Sequence, residues 1–106
     1  MTSGFGLIVR FTLHGEEAAE AFDALVERTL TGIQTQEPGT LAYVVHTVED
    51  DPNARIFYEL YEDRAAFDRH ERMDHTRHFL SEREQHIQSL EVTFMQPMSS
   101  AGTVLG

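Results

Sequence analysis

Along the first third of the chain the spacing of apolar positions changes once, from two to nearly four. Phe5–Leu13 (FGLIVRFTL) alternates, with Leu7, Val9, Phe11 and Leu13 on one side and Ile8, Arg10 and Thr12 on the other. That is the pattern of a strand with one apolar and one mixed face. From Glu16 to Ile33 the period lengthens. Ala18, Phe22, Leu25, Val26, Thr29 and Ile33 recur at helical spacing, and Glu16, Glu17 and Glu20 favour the positive end of a helix dipole. Gly32 lies near the end of this helix. Glu37-Pro38-Gly39 then forms a turn, with Pro pre-set at its second position and Gly at its third.

Two β-branched and aromatic runs follow, Leu41–Val48 (LAYVVHTV) and Arg55–Tyr61 (RIFYELY), separated by six turn-forming residues from Glu49 to Ala54. They predict an antiparallel hairpin. Pairing Val48 with Arg55 puts Leu41, Tyr43, Val45, Thr47, Ile56, Tyr58 and Leu60 on one face. Ala42, Val44, His46, Val48, Phe57, Glu59 and Tyr61 fall on the other. A one-residue slip of a single strand would exchange its faces. Asp63 is placed to cap a helix over Arg64–Met73. Asp74 is placed to cap a second segment over His75–His86, so the helix is expected to bend or break between them. Leu90–Met95 alternates again, with Leu90, Val92 and Phe94 sharing a face. The order β-α-β-β-α-β predicts an α+β, ferredoxin-like fold, a four-stranded antiparallel sheet with its helices on one face. Residues 1–98 are expected to form one domain, and residues 99–106 a flexible tail.

Composition narrows the function. The 106 residues are 41% hydrophobic and 25% charged, ordinary for a folded domain and unlike a disordered one. Eight Arg and no Lys face 18 acidic residues, a net charge of −10 that protonation of all six His would not neutralise. So acidic a surface repels phosphate backbones and anionic lipid heads, which argues against nucleic acid and membrane surfaces as partners. Without Cys there is no disulfide, thiol nucleophile or thiolate metal site. The apolar start is interrupted by Arg10 and too short for a signal peptide, and no run approaches a membrane span, so a cytoplasmic protein is expected. Nucleophile elbows, phosphate loops and dinucleotide fingerprints are absent from the sequence.

Glu37-Pro38-Gly39-Thr40-Leu41, the strand ending Phe57-Tyr58-Glu59-Leu60-Tyr61, and Asp63-Arg64-Ala65-Ala66-Phe67-Asp68-Arg69-His70 with His75 and Phe79 behind it resemble the antibiotic biosynthesis monooxygenase (ABM) family. The resemblance spans roughly Leu7 to Met98. It implies a homodimer, a dimeric α/β barrel in which two sheets pack face to face. It also implies a small aromatic substrate, with O2 as co-substrate and no cofactor or metal. Family activities include cofactor-free oxidation of polyphenols and quinols, haem degradation and isomerisation. The haem-degrading branch has a Trp where this chain has His70, and an iron-ligating His near the position of Leu80. This chain has neither that Trp nor that His, so a haem site of that kind is not expected. The quinone-forming oxygenases often pair a Trp with an Asn, whereas the only Asn here, Asn53, lies in the hairpin connection.

Chemistry therefore has to come from His and Tyr. His70 lies three residues after Phe67 on the same helical face and would project, partly exposed, into the gap between helix and sheet. A neutral imidazole there is suited to take a proton from a phenol or an activated C–H. The alternative is a core histidine satisfied by a carbonyl or a tyrosine hydroxyl. His75, one turn before Phe79, could line the same gap, or simply pack at a helix start. Tyr43 and Tyr58 would hold substrate oxygens, or bond to helix residues as core aromatics, with Phe67 and Phe79 as pocket walls. Arg10, His46 and Glu59 fall on the opposite face, where they would order a subunit interface, Arg10 pairing with Glu59. His78, Glu82 and His86 form an i, i+4, i+8 stripe that more readily makes a solvated face than a metal site. The expected activity is cofactor-independent oxidation of an aromatic polyketide or quinol-like phenol. An isomerase or cyclase, and a non-catalytic ligand-binding dimer, are the alternatives on the same fold.

Overall fold

A computed structural model describes residues 4–102. Four strands and three helices follow one another as β1 (Phe5–Leu13), α1 (Glu16–Gln36), β2 (Thr40–Val48), β3 (Asp51–Tyr61), α2 (Arg64–Arg72), α3 (Asp74–Glu82) and β4 (Ile87–Met95), with a 3-10 turn at Arg83–Gln85. The sheet is antiparallel throughout, in the order β2-β3-β1-β4. This is the ferredoxin-like α+β arrangement that the spacing of apolar positions predicts.

The core lies between one sheet face and the helices. Leu7, Val9, Phe11 and Leu13 of β1 are buried there, against Ala19, Phe22, Leu25 and Val26 of α1. Phe11, Phe22, Phe57 and Phe79 form an aromatic cluster, with Phe11 and Phe57 edge-on at 4.8 Å between centroids. Tilted and edge-on contacts of this sort add to the burial of each ring. α1 runs one turn beyond its predicted end at Ile33, to Gln36.

The hairpin register differs from the expected one. β2 and β3 turn over two residues, Glu49 and Asp50, and Val48 pairs with Asp51. Asp50 takes a positive φ of 65° at that turn, a conformation Asp tolerates better than most residues. Pro52-Asn53-Ala54 is then taken up as an irregularity, so Thr47 pairs with Arg55, Val45 with Phe57, and Tyr43 with Glu59. β2 keeps its expected face, and β3 is inverted. Arg55, Phe57, Glu59 and Tyr61 face the helices, while Ile56, Tyr58 and Leu60 lie on the outer face. Period-two reasoning counts residues back from the turn, and an irregularity within the strand shifts that count.

The second helical region breaks as expected, but Asp74 does not cap the new helix. Met73 adopts an extended conformation (ψ 146°), and Asp74 is the first helical residue, without a side-chain capping bond. Asp63 does cap α2, its carboxylate accepting from the Ala66 N–H at 2.8 Å. The helices leave the inner face of β4 open, where Val92 and Phe94 stay 43% and 58% exposed. Residues 99–102 carry no helix or strand, and 103–106, the rest of the expected tail, lie outside the described residues.

Candidate active site

Three helix ends meet at one end of the helical layer. Glu37 is the C-cap of α1, where its N–H bonds the Ile33 carbonyl at 3.2 Å. His70 is in the last turn of α2, and His75 in the first turn of α3. His70 points inward because Ala66, Phe67 and His70 form the buried stripe of α2. Two glycines let these elements approach. A Cβ on Gly32 would lie 2.4 Å from the His75 ring, and one on Gly39 would lie 2.8 Å from the Ala66 Cβ.

One carboxylate serves both imidazoles. Glu37 Oε1 is 2.8 Å from His70 Nδ1, and Oε2 bonds His75 Nε2. The Thr40 hydroxyl donates to Oε1 at 2.7 Å, and the Thr76 hydroxyl lies 3.3 Å from His70 Nδ1. Burial alone pushes the Glu37 carboxyl up. The hydrogen bonds from His70, Thr40 and His75 outweigh that and hold it below its ordinary value. Glu37 is thus an acceptor only, so the His70 nitrogen facing it, Nδ1, is the donor, and a neutral imidazole in this pose has its lone pair on Nε2. Among the described residues Nε2 has no side-chain partner, yet Arg83 Nε is the one buried side-chain N or O without one. His70 Nε2 is therefore not sealed from its surroundings.

Those surroundings include a cavity of about 130 Å³ between the sheet and α2–α3. Leu7, Val9, Phe11, Phe57, Phe67, Phe79 and Leu80 make its walls apolar, and it opens past Val92 and Phe94. An apolar void of about 150 Å³ accommodates benzene, so this one suits a single aromatic ring with the rest of a larger molecule toward the opening. Tyr43, Glu59, His70, Glu71, Thr76 and Arg83 are the polar residues of its lining. The Tyr43 ring lies 5.6 Å from the His70 ring, and burial, together with the nearby Glu59 and Glu37 carboxyls, pushes its phenol well above the usual value. Glu59 accepts from the Tyr61 hydroxyl at 2.6 Å. Burial raises its carboxyl, and the Tyr61 bond only partly offsets the rise. The Arg83 guanidinium lies over Phe11 and Phe79, at 5.5 and 5.8 Å.

The expected site residues divide accordingly. His70, Tyr43, Phe67 and Phe79 line the cavity. His75 does not, and reaches the site only through Glu37. Tyr58 is on the outer face opposite Ile8 and Val44, because β3 is inverted. For the same reason Glu59 belongs to the cavity, not to the outer face, and the Arg10–Glu59 pair does not form. Arg10 bonds Asp51 at 3.0 Å instead, and His46 is exposed on the outer face. His70 is 3% exposed rather than partly exposed. His78 and Glu82 are exposed, and their stripe with His86 brings no ligand set together. Among the described residues, the group whose ligand atoms lie close enough to share one ion is Glu37, His70 and His75. Glu37 and Arg83 are new here. Glu37 reads in sequence as a turn residue, and Arg83 as one more charge on a polar helix end.

Known proteins agree with this architecture. Rv0793 of Mycobacterium tuberculosis superposes with a TM-score of 0.85 at 24% identity, over 94% of this chain and all of that one. PA3566 of Pseudomonas aeruginosa gives 0.82 at 23% identity, over 93% and 98%. A point mutant of SnoaB, a cofactor-independent oxygenase from Streptomyces nogalater, gives 0.81 at 17% identity, over 93% and 97%. At such identities the likeness speaks for the fold. No curated sequence matches the chain. The family model for antibiotic biosynthesis monooxygenases, however, matches residues 4–82. The chain belongs to the antibiotic biosynthesis monooxygenase family.

Proposed function

We propose that the protein is a cofactor-independent monooxygenase of a phenolic or quinol-like aromatic substrate, or of an aromatic polyketide, with His70 as the base. One observation carries this reading. A buried imidazole lines an apolar cavity of single-ring size, with its Nδ1 proton committed to a carboxylate. Removing a phenolic or activated C–H proton at Nε2 leaves an anion electron-rich enough to reduce O2 directly. The protein then supplies exclusion of water, the base and hydrogen bonds to the anion. Tyr43 and Arg83, which line the cavity, would donate those bonds, and Phe67 and Phe79 would flank the ring. The net change is one oxygen atom into the product and one into water.

Screening anthrones, naphthols and quinols with and without O2, following O2 uptake and product mass, tests the proposal. His70→Asn keeps a donor near the position of Nδ1 for Glu37 and removes Nε2. The rate per folded molecule should fall by about 10²–10⁴, the usual share of general-base catalysis. Full activity in this variant, on a substrate that the wild type turns over, would refute the assignment.

A second reading has its own support. Glu59, a carboxyl that burial inclines to keep its proton, shares the cavity with an imidazole free to accept one. A donor and an acceptor in one dry site are what an isomerase or cyclase needs to move a proton between carbons. Turnover without O2 uptake would favour it.

A further inference from the structure

Nothing in the reaction proposed above uses His75, which packs against Gly32 and is directed at the carboxylate that holds His70. Glu37, His70 and His75 each present one ligand atom within 4.8 Å of the other two. Their side chains are nearly sealed, at 4%, 4% and 12% exposure. Each comes from a different element, so the fold, not a local loop, holds them together. Two imidazoles and one carboxylate form a donor set suited to Zn²⁺, Fe²⁺ and their neighbours among divalent transition metals. An outer contact is in place on the carboxylate, where the Thr40 hydroxyl donates to Glu37 Oε1 at 2.7 Å. A second cleft, of about 210 Å³ and lined by Glu37, Thr40, His70 and Met73, reaches the cluster from the side away from the aromatic core. Arg69 also lines that cleft, but the chain as a whole carries a charge of −10 and draws cations.

We propose that Glu37, His70 and His75 form a binding site for one divalent transition-metal ion, Zn²⁺ being the simplest probe. The ion would replace the two imidazole-to-carboxylate hydrogen bonds, bound by His70 Nδ1, His75 Nε2 and Glu37. Metal at Nδ1 leaves the single proton of a neutral His70 on Nε2. The nitrogen free to accept a proton in the metal-free protein becomes a donor. The metal-loaded protein thus has no base at His70. This last consequence rests on the function proposed above, while the binding site does not.

The test uses the full chain, freed of any affinity tag and treated with chelator, titrated with ZnCl2 in a calorimeter. One Zn²⁺ per chain is expected, with a rise in melting temperature. Co²⁺ at the same stoichiometry should give the visible bands of a nitrogen- and oxygen-ligated ion. His75→Asn, and independently Glu37→Gln, should weaken Zn²⁺ binding at least tenfold. A His78→Asn/His86→Asn double variant should bind like wild type. No saturable binding near one ion per chain would overturn the proposal. So would binding that survives His75→Asn, or binding lost in the double variant. His75 is outside the cavity, so His75→Asn serves as the deciding variant if Glu37→Gln fails to fold. Because binding is read without substrate, its failure is separate from any failure of the oxygenase reading. If both hold, stoichiometric Zn²⁺ should stop O2 uptake in wild type, and removing it with chelator should restore the uptake.

Discussion

Glu59 is a carboxyl placed where water cannot easily reach it, and one short bond from Tyr61 does not make up for that loss. Its folded pKa is raised, so the native state keeps the proton where the unfolded chain, titrating near its ordinary value, has released it. Native stability therefore falls as pH rises from the ordinary Glu value to the raised folded one, and stays lower above it. Glu59→Gln, which does not titrate and still accepts from Tyr61, should gain on wild type across that window. Urea unfolding of both proteins from about pH 4 to about pH 8 checks this. Parallel pH curves would show that Glu59 is not held protonated. Glu37 behaves in the opposite sense, its depressed pKa favouring the native state above the ordinary value and losing that contribution as pH falls through the folded one.

At the level of elements, two contacts hold α1 in place, one to the sheet and one to α3. Arg55 extends from the irregular start of β3 to Asp23 of α1 through Nε and Nη2, both at 2.9 Å, and its Nη1 donates to the Pro52 and Ala54 carbonyls. The Arg is buried and the Asp about half exposed, so removing the Arg strands more than removing the Asp. Arg55→Met should cost about 2–3 kcal/mol in chemical denaturation, and Asp23→Asn about 1 kcal/mol. Equal effects would mean that the carbonyl bonds contribute nothing. At the other end of the helix, Gly32 is required by the His75 ring and not by backbone conformation. Gly32→Ala, favourable for a helix in isolation, should destabilise by about 1–3 kcal/mol through overpacking. A stabilised variant would show that His75 does not pack against α1.

At the scale of the whole molecule, the outer sheet face is the unpartnered surface. Ile8 and Val44 are 36% and 43% exposed there, with Tyr58 between them. Arg10 and Asp51 bond at its rim. We expect a second copy of the chain to cover this face, as the face-to-face barrel implied by the sequence resemblance requires, since exposed apolar area of this kind marks an interface. Light scattering at micromolar concentration should give the mass of two chains. Val44→Arg, placing a charge among the apolar side chains of this face, should shift it to one chain with the secondary structure retained. Among the described residues, no helix is long and apolar enough to cross a membrane.

Most of this architecture is legible in the sequence, because element type is set by local periodicity. The alternation of β1 and β4, the four-residue spacing of α1 and the capping Asp63 each act within a few residues, and the element order then leaves few topologies. The cavity walls Phe67 and Phe79, and His70 beside them, follow from the same helical spacing. Tertiary structure alone decided the face of β3. Both of its sides are apolar enough to be buried, and the irregularity at Pro52–Ala54 that selects one is stabilised by Arg55 reaching α1, 32 residues earlier. That choice carried Glu59 into the cavity and Tyr58 out of it. The partnership of Glu37 with His70 and His75 is equally beyond local reading. Its members are 33 and 38 residues apart, and a carboxylate after a helix becomes a buried acceptor only when two other helices close over it.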